Sequence, residues 1–414
     1  MILPLADKNP IGPFAEPRPS MRGRYLIRNP QKAHAIAAMD AALSLVPRKK
    51  APLPDRPQRI LVANWGHLGD VTTTFGAITR LRNCYPGARI GMIVGSWGRP
   101  AISDTGLVDD LHVVDHWGLN RASLSKGEKQ ARYRETRAAA LQAISAARYE
   151  LAIDLYPFFP PAHPLFYRAG IPTRIGFVSG GFGPLLTHAV GWPDADRPIA
   201  DQYGVLLDIL KCDPSALHDD LRPHRSRAEL AALPAEIARL TPYVVLHPGA
   251  GAAHKDWGFE KWRDLLARLR SAYPGLGLVV TGAGEGEAAV AEALAATTSD
   301  VVSMVGRANW SSFVRILADA TLVICPDTVT GHVAALFDVP TISIFTGTNN
   351  ASQWRPYSNR AHVLVRPVLC SPCNLNAGCE AMACIRDVSV EEVVVLAAKL
   401  LPDRLQRYGS GAIR

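Results

Sequence analysis

The segment RILVANWGHLGDVTTTFGAITRLRNCYPGARIGMIV, residues 59–94, decides the fold class. It opens on the apolar run ILVAN, turns through the glycine-bearing GHLGD, continues as a helical stretch from Val71 to Cys84, stops at Tyr85-Pro86-Gly87 and ends in a second apolar run, RIGMIV. A strand, a helix and a strand in that order form a βαβ unit. Its two strands must run parallel, because the helix carries the chain back to the starting end of the sheet. Further strand candidates are LHVVD (111–115) and LAIDL (151–155), with the helical ETRAAALQAISAAR between them.

A polar, proline-containing stretch from about Leu221 to Pro242 interrupts this series, and a second one starts at YVVLHPGAG. It predicts strands at 243–247, 277–282, 301–306, 321–326 and 340–345, helices at 259–272, 286–296, 310–319 and 329–337, and a final helix at 390–401. Residues 1–58 are rich in Pro and Arg and hold one helical stretch, Gln31 to Leu45. The expected organisation is an amino-terminal appendage (1–58), one Rossmann-like domain (59–222) and a second (223–414). Doubly wound α/β domains take ligands at the carboxyl ends of their strands, so two of them facing each other predict a ligand cleft between them.

Composition narrows the class of function. Hydrophobic residues make up 48% and charged residues 20% of the chain, as in ordinary soluble proteins. No apolar run approaches the ~20 residues of a membrane span, and the start MILPLADKNP lacks the pattern of a secretory signal, so a cytoplasmic location is expected. The net charge is +8, and the first 58 residues, with ten basic against four acidic side chains, carry six of that excess. A basic arm suits any polyanion. Nucleic acid is set aside, because no known nucleic-acid module and no interleaved aromatic positions accompany the charge. An anionic membrane surface or a phosphorylated glycolipid remains. Of seven cysteines, Cys84, Cys212 and Cys325 are scattered and read as reduced core thiols. Cys370, Cys373, Cys379 and Cys384 are crowded into C-x2-C-x5-C-x4-C, which suits a structural Zn or Fe, or else a reduced cysteine-rich loop or a labile disulfide.

The turns between strands and helices hold the chemistry. In NWGHLGD, Asp70 is either a helix cap or a general base held at a strand end. The turn is no dinucleotide fingerprint, since G-x-G-x-x-G is missing and no acidic residue ends the next strand. In HPGAGAAHKDW, Gly249 and Ala250 let a ligand approach the backbone and Lys255 offers a mobile cation, a way of receiving a diphosphate. In PDTVTGHVAAL, Asp327 and Thr328 stand where a helix begins and His332 lies one turn in; capping and an interior histidine are the plain alternatives. GAGEGE (282–287) offers Glu287 as a ribose acceptor.

In this order and spacing, these segments, with TRIGF, LLTH, VPTISIFTGTN and WRPY, resemble glycosyltransferase family 9, the ADP-heptose:lipopolysaccharide heptosyltransferases of the GT-B fold, from about Arg59 to Val390. The resemblance implies an inverting transferase needing no catalytic cofactor, with an ADP-sugar or other nucleotide sugar as donor. The acceptor would be lipopolysaccharide core or another glycolipid, or a protein serine. It implies Asp70 as catalytic base, Lys255 as the diphosphate lysine, and Asp327, Thr328 and His332 as the nucleotide-site motif D-T-G-x-x-H. Val329 departs from that motif, standing where the family has glycine. Two other readings stay open: a sugar-nucleotide-binding protein without transfer activity, and a GT-B-type sugar-nucleotide epimerase.

Overall fold

The computed structural model describes residues 2–3, 25–27, 29–45, 51–193, 195–213, 230–283, 285–296, 301–375 and 377–401; the side chains of 2–3 and 285–287 lie outside the description. The chain divides into two compact units, Pro19–His224 and Met1–Arg18 together with Arg225–Arg414.

Thirteen strands are described: β1 (Ile2–Leu3), β2 (Arg59–Ala63), β3 (Arg89–Val94), β4 (Asp110–Val113), β5 (Leu151–Asp154), β6 (Thr173–Phe177), β7 (His188–Val190), β8 (Tyr243–Leu246), β9 (Gly277–Val280), β10 (Val301–Ser303), β11 (Leu322–Pro326), β12 (Thr341–Ile344) and β13 (Ala361–Leu364). In the amino-terminal unit they form a parallel sheet of order β4-β3-β2-β5-β6-β7. In the carboxy-terminal unit the order is β1-β13-β12-β11-β8-β9-β10, parallel except for the short edge strand β1. Each unit therefore starts its sheet in the middle, builds outward for three strands, then returns and builds the other way. The order reverses between β2 and β5 and between β8 and β11, the doubly wound α/β architecture the sequence predicts.

Composition explains the layering. Parallel strands covered by helices on both faces carry continuous apolar runs, and β5, β8 and β11 are buried at every residue. The covering helices present one apolar stripe. Helix Phe259–Ala272 buries Trp262, Leu265, Leu266, Leu269 and Ala272, spaced by three and four residues, and Trp262 meets Trp257 edge to face with ring centroids 5.1 Å apart.

The structure departs from the expected elements in three places. The helical stretch from Val71 is split into Leu68–Thr72 and Phe75–Cys84. The hydroxyls of Thr73 and Thr74 donate to the carbonyls of Asp70 and Val71, a local alternative that competes with an uninterrupted helix. Helix Pro30–Ser44, in the segment expected as an appendage, is tied to the amino-terminal sheet's loops: buried Asp40 accepts from the Phe182 amide at 2.8 Å and from the Tyr25 hydroxyl at 2.9 Å. Finally, Cys84 and Cys212 are not reduced core thiols but a disulfide, with their Cα atoms 5.4 Å apart. The bond closes a separation of 128 residues, which only tertiary packing brings together. Buried Arg80 reinforces the junction by donating to Asp208 and to the Cys212 carbonyl. Cys325 is the buried free thiol of the scattered set, and burial pushes it up to about 12.

This cross-link predicts that protein denatured without reductant takes up alkylating agent at five cysteines, those other than Cys84 and Cys212, and at seven after reduction. Cys84→Ser should lower unfolding free energy by ~2–4 kcal/mol in denaturant titrations. Seven alkylations before reduction would show that the bond does not form.

Candidate active site

In the amino-terminal unit the chain leaves β2 and enters helix Leu68–Thr72 through a turn that presents Asp70. Asp70 is the third residue of that helix, and its Oδ2 accepts from the His67 amide at 2.7 Å. Capping therefore occupies one carboxylate oxygen. The other, Oδ1, has no donor among the described residues, and the side chain keeps 22% of its exposure. The two readings of Asp70 fit together: one oxygen anchors the group and the other is available to a ligand.

The turn is braced on every side. Asn64 Nδ2 donates to the Asp70 carbonyl at 3.2 Å while its Oδ1 accepts from the Gly66 amide at 3.1 Å. The Thr73 hydroxyl lies 3.2 Å from that of buried Tyr203. Trp97 Nε1 donates to the Gly66 carbonyl at 2.8 Å, and the Trp97 ring stacks on His67. Gly66 is a packing requirement, since a Cβ there would lie 2.6–2.7 Å from Cβ, Cγ and Oδ2 of Asp70. Gly66, His67, Asn64 and Trp97 are neighbours of Asp70 that sequence reasoning missed. Only the G-x-x-G spacing of the turn signalled one of them.

Across the strand-order reversal, β5 ends in Asp154, whose side chain is fully buried. Its oxygens accept from the amides of Tyr156 at 3.0 Å and Ala162 at 2.6 Å, fixing the loop between them, and the equally buried His163 Nε2 lies 3.3 Å away. Burial pushes Asp154 up to about 7 and His163 down to about 3. The loop is joined to the Asp70 turn by Trp65 Nε1, which donates to the Pro160 carbonyl at 2.9 Å. Asp70 and Asp154 both add to the effect of burial in raising the phenol of Tyr156.

In the carboxy-terminal unit, Lys255 and Asp327 follow β8 and β11, the two strands at the order reversal. They form an ion pair: Lys255 Nζ donates to Asp327 Oδ2 at 2.6 Å and to its carbonyl at 3.2 Å. Asn349, after β12, donates weakly to the same Oδ2 at 3.5 Å. Gly249 is buried and Ala250 half-buried in the loop leaving β8. Thr328 stands at the N-cap position of helix Val329–Leu336 without a side-chain capping bond, and His332 is buried one turn in. Val329 packs against the apolar cluster of Val323, Cys325 and Val333. The helix approaches the sheet at Gly331, where a Cβ would lie 2.8 Å from Ser343 Oγ. The structure thus brings together Lys255 and Asp327, with Thr328 and His332 following directly in the chain. The side chain of Glu287 lies outside the described residues.

The cysteine-rich loop is not gathered around a metal. Among the described residues no group of three or more His, Cys, Asp or Glu side chains is placed to hold an ion, which corrects the structural Zn or Fe expected at Cys370, Cys373, Cys379 and Cys384. Cys370 and Cys379 are exposed while Cys384 is buried against Gly347, its thiol raised by burial with Cys373, Cys379 and Cys370 adding to that effect. The loop instead packs as backbone, with the amides of Cys373 and Asn374 donating to the carbonyls of Gly347 and Thr348.

Comparison with known proteins places this geometry in a family. The family model of glycosyltransferase family 9 (heptosyltransferase) matches residues 137–381. The chain is 30% identical over 329 residues to lipopolysaccharide heptosyltransferase 1 of Pseudomonas aeruginosa, covering 76% of this chain and 86% of that one. It is 23% identical to lipopolysaccharide heptosyltransferase 3 of Escherichia coli over 306 residues, covering 70% and 83%. Among solved structures it is similar to ADP-heptose lipopolysaccharide heptosyltransferase II of E. coli, with a TM-score of 0.64 and 18% identity over 84% of this chain and 99% of that one.

The buried histidines give the protein a pH dependence. Burial pulls His116 and His247 down to about 4 from an ordinary 6.5, as it does His163 to about 3. Each stays neutral in the folded chain while its unfolded counterpart takes a proton below about 6.5, so these groups withdraw stability as pH falls from 6.5 to 4. Asp154 acts in the opposite sense, keeping when folded a proton that the unfolded chain releases near 3.8. Among the described residues of the carboxy-terminal unit no carboxylate is raised in this way to offset His247. The thermal midpoint should fall as pH drops through this window, and His247→Gln, able to keep the 2.9 Å contact with the Thr281 hydroxyl, should flatten the slope. An unchanged slope in His247→Gln would remove His247 from this account.

Proposed function

The chain belongs to glycosyltransferase family 9, the heptosyltransferase family, and on that premise we propose that it transfers heptose from ADP-heptose to a hydroxyl of lipopolysaccharide core. The observation that carries the reading is the Asp70 carboxylate, anchored through Oδ2 and uncommitted at Oδ1, at the strand-order reversal of the amino-terminal unit. The acceptor hydroxyl passes its proton to Oδ1 as its oxygen bonds to the anomeric carbon. The bond from that carbon to the diphosphate breaks on the opposite face, so configuration inverts. ADP leaves carrying the negative charge.

The carboxy-terminal unit receives that charge. Two of the three N–H bonds of Lys255 are engaged by Asp327, which aims the ammonium and leaves the third for a phosphate oxygen. The amides at the start of helix Val329–Leu336, with Thr328 at its cap, add a second positive end. Gly249 and Ala250 line the diphosphate's approach, and His332 and Glu287 serve the nucleoside side. With these groups stabilising the departing ADP, the reaction needs no divalent metal. The binding-only and epimerase readings leave the uncommitted oxygen of Asp70 without a task.

We also propose that the enzyme works at the cytoplasmic face of the membrane as a peripheral protein. No helix among the described residues is long and apolar enough to cross a bilayer, and the basic residues Arg18, Arg22, Arg24 and Arg28 suit an anionic leaflet, each contributing ~1 kcal/mol near its surface. Replacing these four by Gln should reduce co-sedimentation with phosphatidylglycerol vesicles at low salt. The wild type should lose its binding at high salt. Binding that ignores both changes would refute the membrane role.

Transfer is tested by following ADP release from ADP-heptose with heptose-deficient lipopolysaccharide as acceptor, in EDTA. The wild type should turn over fully. Asp70→Asn should lower turnover ~10²–10⁴-fold with donor affinity retained, and Gly66→Ala, which displaces the Asp70 carboxylate, should lower it ~10²-fold. Full activity in Asp70→Asn would sink the assignment of the base.

A further inference from the structure

The amino-terminal helix Pro30–Ser44 precedes the stretch from about Arg59 to Val390 whose sequence resembles the family, yet it is built into the strand-end rim that carries Asp70. Besides the two bonds to Asp40, the Leu26 amide donates to the Ser179 carbonyl at 2.8 Å, and Ile36 sits so close to Gly181 that a Cβ there would lie 2.4 Å from Ile36 Cγ2. Gly181 has φ +86°, so the loop is shaped by a residue without a side chain to receive this helix. The helix has a fixed position, and so do the residues of its first turn.

That first turn holds Lys32 and no acidic residue. A cation there opposes the helix dipole, which favours negative charge at this end, so the helix's own energetics do not account for it. Lys32 is exposed, and no carboxylate among the described residues pairs with it. Its ammonium instead stands over the ring of Phe159, 3.8 Å from the centroid. Phe159 precedes Pro160, whose carbonyl accepts from Trp65, the second residue of the turn leading to Asp70. Lys32 also acts on His116, after β4, adding its charge to burial in drawing that histidine down. The His116 ring lies 6.2 Å from that of Trp65. Lys32 is thus a cation without a counter-ion among the described residues, held in place by an aromatic face on the loop to which Trp65, in the turn leading to Asp70, is bonded.

We propose that Lys32 is an acceptor-binding residue, whose ammonium pairs with a carboxylate or phosphate of the acceptor and so sets which acceptor presents its hydroxyl to Asp70. The inference rests on the transferase reading and adds a residue that selects among acceptors by an anionic group next to the hydroxyl that reacts. A positively charged side chain from an element outside the family region gives this chain its own acceptor preference on a shared fold.

The test is Lys32→Gln and Lys32→Arg, assayed with heptose-deficient lipopolysaccharide that is intact, dephosphorylated or carboxyl-reduced. Lys32→Gln should raise the acceptor KM about ten- to a hundredfold, the range for a lost charged hydrogen bond, with kcat and donor KM within about twofold; Lys32→Arg should restore most of it. The acceptor form that weakens wild-type binding, yet is bound equally by wild type and Lys32→Gln, identifies which anion Lys32 reads. An unchanged acceptor KM overturns the proposal, as does a parallel loss of kcat and donor KM, which would mark a structural role. Titration of the same acceptors into Asp70→Asn and Asp70→Asn/Lys32→Gln reads binding without turnover. Lys32-dependent binding there supports the proposal even where transfer itself fails, and Lys32-independent binding overturns it.

Discussion

A parallel sheet delivers every strand at the same edge, and where its order reverses, two neighbouring strands send their chains to opposite faces and leave a gap between the following loops. Both sheets here reverse once, between β2 and β5 and between β8 and β11. Asp70 and the loop fixed by Asp154 follow one pair of strands; Lys255 and Asp327 follow the other. The candidate groups thus stand on short connections from buried strands, where the backbone has little freedom to move them. Topology chooses the positions, and the local hydrogen bonds then orient the side chains.

The two units solve the orientation problem differently. Asp70 is held by donors to one oxygen and to its own carbonyl, with Gly66 removing the atom that would push it aside. This keeps a carboxylate directed without neutralising it. Lys255 is held by an opposite charge. An ion pair of this kind, with side chains 21% and 9% exposed, adds little net stability after desolvation, so its consequence is geometric. Asp327 restrains a four-carbon stem that would otherwise sample many rotamers, and the entropy of placing the cation is spent before a diphosphate arrives.

Much of this was legible in the sequence where burial is complete. The runs YVVL and LVICP are apolar because both faces are covered, and the predicted strands agree with the observed ones to within a few residues. Short edge elements were not legible: β7 is only His188–Val190, partly exposed, and its pattern matches a loop as well as a strand. Helix Lys126–Ala147 begins nine residues before the alanine-rich stretch that signalled it, at a Ser125–Glu128 capping box set in a polar context without apolar periodicity. Asp70, Lys255 and Asp327 could be named because each follows an apolar strand in a glycine-bearing or capping turn. Their pairings could not. The bond from Asp327 to Lys255 spans 72 residues and that from Trp65 to Pro160 spans 95, and no local pattern encodes such distances. The Cys84–Cys212 disulfide was misjudged for the same reason.

The amino-terminal segment shows how composition misleads when charge is averaged over a stretch. Its excess of basic residues suggested one role for all of them, yet helix Pro30–Ser44 is fastened by a buried aspartate to the loop after β6. Burying Asp40 at 2% exposure is unfavourable unless its oxygens are satisfied, and they are satisfied by donors from different parts of the chain, the Phe182 amide and the Tyr25 hydroxyl. The helix therefore has one docked position rather than a sliding apolar contact. Lys32, on the same helix, inherits that position: its charge is held at a fixed point above Phe159, where a freely moving basic arm would spread it over the surrounding solvent. A segment that reads as an electrostatic tail in sequence contributes, at this one residue, a directed charge to the rim of the site.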